Sequence, residues 1–429
     1  MKKIKADLII RNASQLVTCR GPGPKIKQEL SQLGIIDRGW IACYQGKIVF
    51  VGSYQSFKEK IITLEGCQEI DASGRIVLPG WVDPHTHLIF AGSRQEEFAQ
   101  RLRGATYQQI AASGGGIRST VRSTRKASRV ELERLTLPRL DSMLDGGTTT
   151  CEVKSGYGLN LESEIKMLEV AASLQDKHPI ELISTFLGAH TIPEEFEGKK
   201  ADYIDLIIID MLPLVKEKKL AEFVDVFCEQ GAFSLNESRK ILSAAAQLGF
   251  KLKIHAEQLS YQGGAELAAE LGAISASHLD FISPSGISKM AEKNVAAELL
   301  PASNFFMFSQ SYPPARKMIE RGVPIALSTD FNPGSAMNES MTLTIALACF
   351  LMGMMPEEAI NASTINAAYA SGRHREIGSL EIGKQADIAI YHCSHYLHLI
   401  YHWGINHTAM VIKKGKVVVD KLYQQPICG

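Results

Sequence analysis

The pattern of hydrophobic and polar positions divides the chain into two β-rich ends and a middle of a different kind. Short segments near the N-terminus alternate apolar and polar residues between Gly and Asn, as in ADLIIRN (6–12) and WIACYQGKIVFVG (40–52). The same pattern returns near the C-terminus in TAMVIKKGKVVVDK (408–421). We therefore expect residues 1–79 and 376–429 to form one small β-sandwich domain built from both termini.

The middle of the chain alternates short apolar runs with amphipathic stretches such as LESEIKMLEVAASLQ (161–175), which predicts βα units around a parallel sheet. The strand candidates in this part are IVLPGWVDPHTH (76–87), TTTCEVKSG (148–156), IELISTFLGAH (180–190), FVDVFCEQG (223–231), KLKIHAEQ (251–258), AISASHL (273–279), VAAELLPAS (295–303) and PIALSTD (324–330). Eight strands with intervening helices over about 300 residues predict an α/β fold of the (β/α)8 TIM-barrel type, here over residues 80–375. A doubly wound open sheet is the alternative, but no Gly-x-Gly-x-x-Gly follows the first strand.

Charge and hydropathy narrow the partners that we expect for this chain of 429 residues. Lys plus Arg equals Asp plus Glu, with 46 of each, so no net field favours nucleic acid or an anionic membrane. The longest apolar segment, MTLTIALACFLMGMM (341–355), is shorter than the roughly 20 residues that span a bilayer. We expect this segment to be a buried helix, and the chain to bind a small-molecule substrate, with neither nucleic acid nor membrane as a partner.

The cysteines and the N-terminus indicate the compartment. Eight cysteines are scattered along the chain without a Cys-x-x-Cys motif, which argues against a disulfide scaffold and against a thiolate zinc site. The start, MKKIKADLIIRN, lacks the long apolar core of a signal peptide. We therefore expect a cytoplasmic protein.

Titratable side chains stand at the predicted ends of the barrel strands. His85 and His87 form a His-x-His pair, and alternate residues of a strand share one face, so both rings point in the same direction. A single histidine in a strand is most often a satisfied core residue, but in a barrel the strand ends meet at one mouth. The residues at these ends are His85, His87, Lys154, His190, Glu229, His255, His278 and Asp330.

Several imidazoles and one carboxylate around a common centre make a ligand set suited to Zn²⁺ or Fe²⁺ with an open position for water. Such an ion lowers the pKa of water from about 16 towards about 7, so that hydroxide becomes available at neutral pH. The predicted reaction class is metal-assisted hydrolysis.

The strand ends and the two-ended β domain resemble the amidohydrolase superfamily. Within that superfamily, DPHTHLIFAGSR (83–94), KSGYGL (154–159), TFLGAH (185–190) and STDFNPGS (328–335) resemble the imidazolonepropionase family. The resemblance covers essentially the whole chain. It implies hydrolysis of the cyclic C–N bond of 4-imidazolone-5-propanoate to N-formimidoyl-L-glutamate in histidine degradation, by a homodimer.

The resemblance also implies one metal ion per chain, Zn²⁺ or Fe²⁺/Fe³⁺, held by His85, His87, His255 and Asp330. Binuclear relatives carry a modified lysine on the fourth strand, and FVDVFCEQG has none. Lys154 lies on the second strand, where a structural ion pair and a catalytic role are both open.

The substrate implied has a carboxylate tail, and Arg94 is the cation expected to hold it through two parallel hydrogen bonds. A surface arginine paired with Glu96 or Glu97 is the alternative. The other residues that the resemblance implies at the substrate are Tyr157, His190, Gln258, Asn332, Gly334 and Ser335, with Tyr107 a weaker candidate.

One departure concerns the fifth strand, where many amidohydrolases have His-x-x-Glu with a proton-shuttling glutamate. Here HAEQ places Gln258 at that position and Glu257 beside it. An amide does not exchange protons in this way, so we expect Gln258 to bind the ring, and His278 and Asp330 to be the catalytic residues. Roles for Glu229 and Glu257 are open.

Two other functions are alternatives to this hypothesis. A deaminase of cyclic amidines on the same scaffold would release ammonia, and the absence of the shuttling glutamate weakens it. A catalytically silent barrel acting in assembly would be expected to lose metal ligands, and none of the expected ligands is missing.

Overall fold

The computed structural model describes residues 3–105, 109 and 114–423, and it contains the predicted barrel. Eight strands form a sheet in which each strand is parallel to its neighbours, in the order in which they follow along the chain. They are β6 Trp81–Asp83, β7 Thr148–Lys154, β8 Glu181–Ala189, β9 Phe223–Cys228, β10 Lys251–Ala256, β11 Ser275–His278, β12 Ala296–Leu299 and β13 Ile325–Leu327.

The first strand candidate, residues 76–87, is divided between the two parts of the fold. Its first half pairs with strands from the termini and its second half begins the barrel, with Gly80 between them. A Cβ added at Gly80 would lie 2.3 Å from Cγ2 of Thr149, so only glycine fits where the chain passes this close to β7.

The first and last barrel strands meet at a seam with little backbone pairing. Thr86 and Phe331 form a single parallel bridge, in which the N–H of His87 donates to the carbonyl of Phe331 at 2.9 Å. Asp83 adds side-chain bonds across the seam, since its carboxylate accepts from the hydroxyls of Ser328 and Thr329, the latter at 2.6 Å. Side-chain hydrogen bonds therefore contribute much of the contact between the first and last strands of the barrel.

The strands of the two termini form a second sheet, as predicted. Its strands are β1 Ile4–Val17, β2 Ile35–Tyr44, β3 Lys47–Gly52, β4 Ile61–Asp71, β5 Ile76–Pro79, β14 Ile388–Tyr391, β15 Thr408–Lys413 and β16 Lys416–Asp420. The expected sandwich takes the form of one continuous sheet that branches at its longest strand, β1. Strand β1 pairs antiparallel with β2 and parallel with both β4 and β5. The domain limits at 79/80 and 375/376 stay predictions.

The helices include the amphipathic stretch 161–175 that the sequence predicts. They are α1 Tyr54–Lys60, α2 Gln95–Leu102, α3 Ile117–Lys126, α4 Arg129–Asp145, α5 Leu161–Lys177, α6 Lys200–Asp205, α7 Leu212–Glu217, α8 Leu235–Gln247, α9 Gly264–Leu271, α10 Pro284–Lys293, α11 Pro301–Phe306, α12 Ala315–Arg321, α13 Met341–Met352, α14 Pro356–Ala362, α15 Ile365–Ala370 and α16 His398–Tyr401. Short 3₁₀ turns cover Lys27–Ser31 and Glu194–Phe196, and a π turn over Leu206–Met211 joins α6 to α7.

The apolar segment 341–355 forms α13, most of which is buried as expected. Phe350 and Leu351 near its end are exceptions, with 54% and 37% of their surfaces exposed. None of the helices in the described ranges is long and apolar enough to cross a membrane.

Candidate metal centre

The His-x-His pair lies directly after β6, at the mouth of the barrel. Both side chains are buried, and the centroids of the His85 and His87 rings are 5.3 Å apart. Thr86, between the two histidines, forms a parallel β-bridge, so the side chains on either side of it share a face as the sequence predicts.

His255, His278 and Asp330 come to the same place from other strands. The rings of His85 and His255 are 4.5 Å apart, and those of His255 and His278 are 5.4 Å apart. Oδ1 of Asp330 lies 3.6 Å from Nε2 of both His85 and His87. The structure therefore brings together five of the side chains that the strand ends predict.

The nitrogen atoms of this cluster satisfy the requirements of a metal site. Nε2 of His85 and Nε2 of His255 are buried and have no hydrogen-bond partner among the described residues. One ring nitrogen from each of His85, His87 and His255 lies within 4.8 Å of the other two. A second group of atoms within the same distance consists of one ring nitrogen each from His85 and His278 and a carboxylate oxygen of Asp330. A tetrahedral ion at about 2.1 Å from its ligands separates them by roughly 3.4 Å, close to the carboxylate distances above. The residues fit one transition-metal ion.

Charged side chains beneath the cluster hold two of the rings. Oδ2 of Asp225 in β9 lies 2.9 Å from Nδ1 of His255. Ser277 Oγ lies 2.9 Å from Nδ1 of His85, and Glu298 Oε2 lies 3.3 Å from the same nitrogen. Because a nitrogen that faces an acceptor carries the proton, Nε2 of each ring presents its lone pair to the centre.

Lys154 belongs to this buried layer, and its surroundings agree with the structural ion pair. Its Nζ lies 2.8 Å from Asp225 and 2.9 Å from Glu152, and Lys253 similarly contacts Glu298 at 2.8 Å. Burial acts to lower the pKa of Lys154, but the neighbouring carboxylates, Asp225 first, raise it above its ordinary value. Lys154 is therefore a charged, paired group and a poor proton donor at neutral pH.

Four buried charges of this layer are not among the residues predicted from the strand ends: Asp225, Lys253, Glu298 and Glu152. The sequence contains a signal for them, because each is a charge between two apolar residues of a strand. Lys253 is two residues before His255, so the alternation of a strand places both side chains on the inner face.

Burial sets the protonation states at the mouth. It lowers the pKa of His85, His87 and His278 well below the ordinary value, and their like-charged neighbours add to the effect. Burial raises the pKa of Asp330 to about 6. At neutral pH the three imidazoles are thus uncharged and can act as ligands or as hydrogen-bond donors. Neutral pH is close to the pKa of the Asp330 carboxyl group.

Two of these residues have backbone conformations that are rare outside glycine. The φ angles of His278 and Asp330 are 72° and 53°. Such positions cost on the order of 1–3 kcal/mol and cluster at functional sites. Here they aim both side chains into the centre at the points where β11 and β13 end.

Aromatic rings cover one side of the cluster. His190, which follows β8, stacks on His87 with centroids 5.1 Å apart, and Tyr157 lies 5.5 Å from His190. Nδ1 of His190 lies 3.0 Å from the carbonyl of Gly156, which fixes the ring. These planar groups form a wall against which a flat ring fits.

Arg94 begins α2 next to the loop that carries Asp330. Its Nε donates to Oε2 of Glu97 at 2.8 Å, so the pairing weighed as an alternative is present. Glu97 also accepts from the N–H of Gly116 at 3.0 Å. The guanidinium lies against Gly334, where an added Cβ would be 2.1 Å from Nη1. One edge of Arg94 is therefore held by Glu97 while the other faces the loop.

Asn332 organises that loop internally. Its Oδ1 accepts from the N–H groups of Gly334 and Ser335, both at 2.8 Å, and its Nδ2 donates to the carbonyl of Asp330 at 2.6 Å. Ser335 Oγ lies 3.4 Å from Oδ2 of Asp330. The Asn332 amide thus shapes the turn. The Ser335 hydroxyl is the group of this loop that reaches the carboxylate of Asp330, the candidate metal ligand.

The remaining candidates make hydrogen bonds to the backbone of nearby segments or lie outside the described residues. Glu229 accepts from the N–H of Leu259 at 2.9 Å and thereby holds the half-exposed segment that contains Gln258. Glu257 accepts from the N–H of Ala265 at the start of α9 at 3.2 Å. Tyr107 lies outside the described residues.

Comparison with known proteins agrees with this geometry. The sequence profile described as "Amidohydrolase family" matches residues 76–418. The chain belongs to the amidohydrolase family. This amidohydrolase is 50% identical over 416 residues to the imidazolonepropionase of Alkaliphilus oremlandii, covering 97% of this chain and 98% of the relative. It is 49% identical over 417 residues to the imidazolonepropionase of Geobacillus thermodenitrificans, covering 96% and 98%.

A solved structure agrees with the amidohydrolase fold. An adenosine deaminase from Xanthomonas campestris, with bound zinc, superposes with a TM-score of 0.69 at 18% identity. The alignment covers 98% of this chain and 94% of the other. At this identity the likeness concerns the fold alone.

Proposed function

We propose that this amidohydrolase hydrolyses the cyclic C–N bond of 4-imidazolone-5-propanoate and releases N-formimidoyl-L-glutamate, a step of histidine degradation. The identity of about 50% to imidazolonepropionases over nearly the whole chain supports the proposal. A cyclic amide is the substrate class, and water is the second reactant.

The observation that carries this proposal is the position of Arg94 beside Gly334. Gly334 is four residues beyond Asp330, and Ser335 reaches the Asp330 carboxylate. A metal centre alone is common to many hydrolases, whereas a guanidinium beside it selects a small substrate with an anionic tail. The ring of such a substrate would lie at the centre while its tail reaches Arg94.

The metal ligands in this proposal are His85, His87, His255 and Asp330, which would hold one Zn²⁺ or Fe²⁺ per chain. The buried lone pairs of His85 and His255 and the carboxylate distances of 3.6 Å support this set. When bound, such an ion supplies a Lewis acid that makes water nucleophilic at neutral pH and polarises a carbonyl.

Asp330 is the proposed general base and acid. Its buried carboxylate reaches the same centre as the imidazoles, with Oδ1 3.6 Å from Nε2 of His85 and of His87, so it is placed to accept a proton there. Asp330 takes one proton from the attacking water. The water oxygen joins the ring carbonyl carbon, the bond from that carbon to the ring nitrogen breaks, and Asp330 returns the proton to the nitrogen.

His278 is the proposed donor to the carbonyl oxygen. Burial and the neighbouring His255 keep its pKa well below the ordinary value, so the ring is neutral and has one N–H to donate. A neutral donor stabilises negative charge as it develops on the oxygen without itself transferring a proton. Tyr157 and His190 would stack on the substrate ring, and Gln258 would hydrogen-bond to its polar edge.

We also propose that the enzyme works in the cytoplasm as a homodimer. The seven described cysteines are all free, which suits a reducing compartment. Phe350 and Trp403 are exposed with ring centroids 5.9 Å apart, which makes an apolar surface available for a second copy. The molecular mass in solution by light scattering tests the dimer.

The function is tested by mixing purified protein with freshly prepared imidazolonepropanoate and following the loss of its ultraviolet absorbance. Formation of N-formimidoylglutamate without ammonia is the expected result. Release of ammonia from a cyclic amidine would favour a deaminase on the same scaffold. Absence of turnover by the metal-loaded protein would overturn the proposal.

A further inference from the structure

A second arginine contacts the same residue of the loop as Arg94. Arg101 is seven residues, about two turns, further along the chain at α2, and its Nη2 donates to the carbonyl of Gly334 at 3.2 Å. The Arg94 guanidinium approaches the same glycine at its Cα. Two guanidinium groups therefore contact the backbone of Gly334, close to the end of the loop that begins at Asp330.

The charges around this pair do not balance. Glu97 is within ion-pair distance of Arg94 and is 13% exposed, against 12% for Arg94. Within the described ranges, no carboxylate lies within ion-pair distance of Arg101. Its partners are neutral: the Gly334 carbonyl, the sulfur of Met307, and the faces of Phe98 and Phe306, with centroids 5.9 and 5.0 Å away. Two cations and one anion leave one positive charge in excess.

That excess charge is partly withdrawn from water. Arg101 is half-buried, and burial followed by the like charge of Arg94 lowers its pKa, against the opposite effect of Glu97. Half-buried like charges repel each other more strongly than charges in bulk water. An anion placed between the two guanidiniums would remove this repulsion and accept hydrogen bonds from both.

We propose that Arg101 is a second specificity-determining residue for the substrate carboxylate, so that Arg94 and Arg101 together bind the tail beside Gly334. This proposal rests on the proposed function, since it names how that substrate is selected. Each guanidinium contributes a charge-assisted hydrogen bond, and the pair discriminates against ring substrates with a neutral tail.

The alternative is that Arg101 only packs α2 against the loop, through its stem, the Gly334 carbonyl and the two phenylalanine rings. A structural role of this kind would act on every substrate equally. A role in recognition acts only on substrates that carry the anion. The tail of the substrate therefore separates the two roles.

The test compares Arg101→Met, which keeps a long apolar stem against Phe98 and Phe306, with Arg101→Lys. Arg103→Met is the matched control, because Arg103 ends the same helix with an exposed side chain. For imidazolonepropanoate we expect KM to rise about tenfold in Arg101→Met and less in Arg101→Lys, at nearly constant kcat, with Arg103→Met unchanged. For the corresponding propanamide, all four proteins should have similar KM values.

A binding measurement makes the test independent of turnover. Calorimetric titration with 3-(imidazol-4-yl)propanoate should show about tenfold weaker binding to Arg101→Met than to the parent, and titration with the propanamide should show no difference. If Arg101→Met lowers affinity equally for both ligands, or behaves like Arg103→Met, the proposal is overturned. Failure of the parent to hydrolyse imidazolonepropanoate would overturn the proposed function, while the calorimetric comparison would still decide the carboxylate site.

Discussion

Asp225 contacts His255 twice: its Oδ2 lies 2.9 Å from the ring Nδ1, and its Oδ1 accepts the backbone N–H at 3.1 Å. The carboxylate comes from β9, the strand next to the one that carries His255. It therefore fixes both the proton position on the ring and the height of the ring above the sheet.

We predict that Asp225→Asn weakens metal binding about 10–100-fold, because an amide holds the ring less firmly and no longer raises its basicity. Competition with a chelator of known affinity measures the change. Asp387→Asn is the matched control, since Asp387 is also buried and pairs with Lys413 at 2.7 Å, in the terminal sheet. An equal loss of metal affinity in both variants would indicate general destabilisation instead.

The purified protein should contain about one transition-metal ion per chain, because the candidate ligand groups in the described residues all share His85. Elemental analysis gives the ratio. Thorough chelation should abolish turnover and readdition of Zn²⁺ or Fe²⁺ should restore it. Two ions per chain, or full activity after chelation, would contradict a single hydrolytic centre.

His278→Ala should lower kcat by about 10²–10⁴-fold while the metal stays bound, since the role that we propose for the ring is that of an oxyanion donor. Metal content and kcat are measured on the same preparation. His278 also forms a possible ligand set with His85 and Asp330. Loss of the ion from this variant would therefore reassign His278 as a ligand.

Arg94→Ala should lower kcat/KM ten- to hundredfold, mainly through KM, because a charged hydrogen bond contributes about 1.5–3 kcal/mol. Arg94→Lys should recover only part of the loss, since an ammonium cannot form two parallel bonds. Glu97→Gln should raise KM less than Arg94→Ala does, because it loosens the guanidinium without removing it. Parental kinetics in Arg94→Ala would place the tail elsewhere.

The stability of the fold should depend on pH through Glu257. Burial raises the pKa of this carboxyl to about 7, against backbone hydrogen bonds from the start of α9 that lower it, and its Oε2 has no partner among the described residues. The folded protein thus binds the proton more tightly than the unfolded chain, whose pKa is near 4.5. Stability from this group is present at low pH and is lost as pH rises through 7.

Between pH 5 and pH 8 the unfolding free energy of the parent should therefore fall by roughly 2 kcal/mol more than that of Glu257→Gln. Urea unfolding at the two pH values measures it. Glu237→Gln is the comparison, because the pKa of Glu237, in the capping box of α8, is lowered and its stabilisation is lost only at acid pH. An unchanged decline in Glu257→Gln would contradict the raised pKa.

The strand ends were predictable because two periodicities combine. Alternation within a strand gives the shared face of His85 and His87, and the barrel topology brings the ends of other strands to the same mouth. His255 and Asp330 could therefore be assigned to one centre without coordinates. The eight strands were each visible as short apolar runs between helical patterns.

Other features depend on distances that a sequence does not contain. Asp225 on β9 and Lys154 on β7 are 71 residues apart with β8 between their strands, and only the register of the barrel places their charges together. Asn332 was expected at the substrate, but the turn that follows Asp330 uses its amide groups internally. Arg94 was expected as a cation, and its anchoring by Glu97 depends on the start of α2.

The seam of the barrel gives the metal centre a consequence for folding. Asp83 and Ser328, which meet there, are 245 residues apart in the chain, and few backbone hydrogen bonds join the strands on which they lie. His85 and His87 follow the first of these strands and Asp330 follows the last. An ion bound by all three would cross-link the beginning and the end of the barrel. The amides near residues 86 and 331 should therefore exchange hydrogen faster in the metal-free protein than in the metal-bound protein.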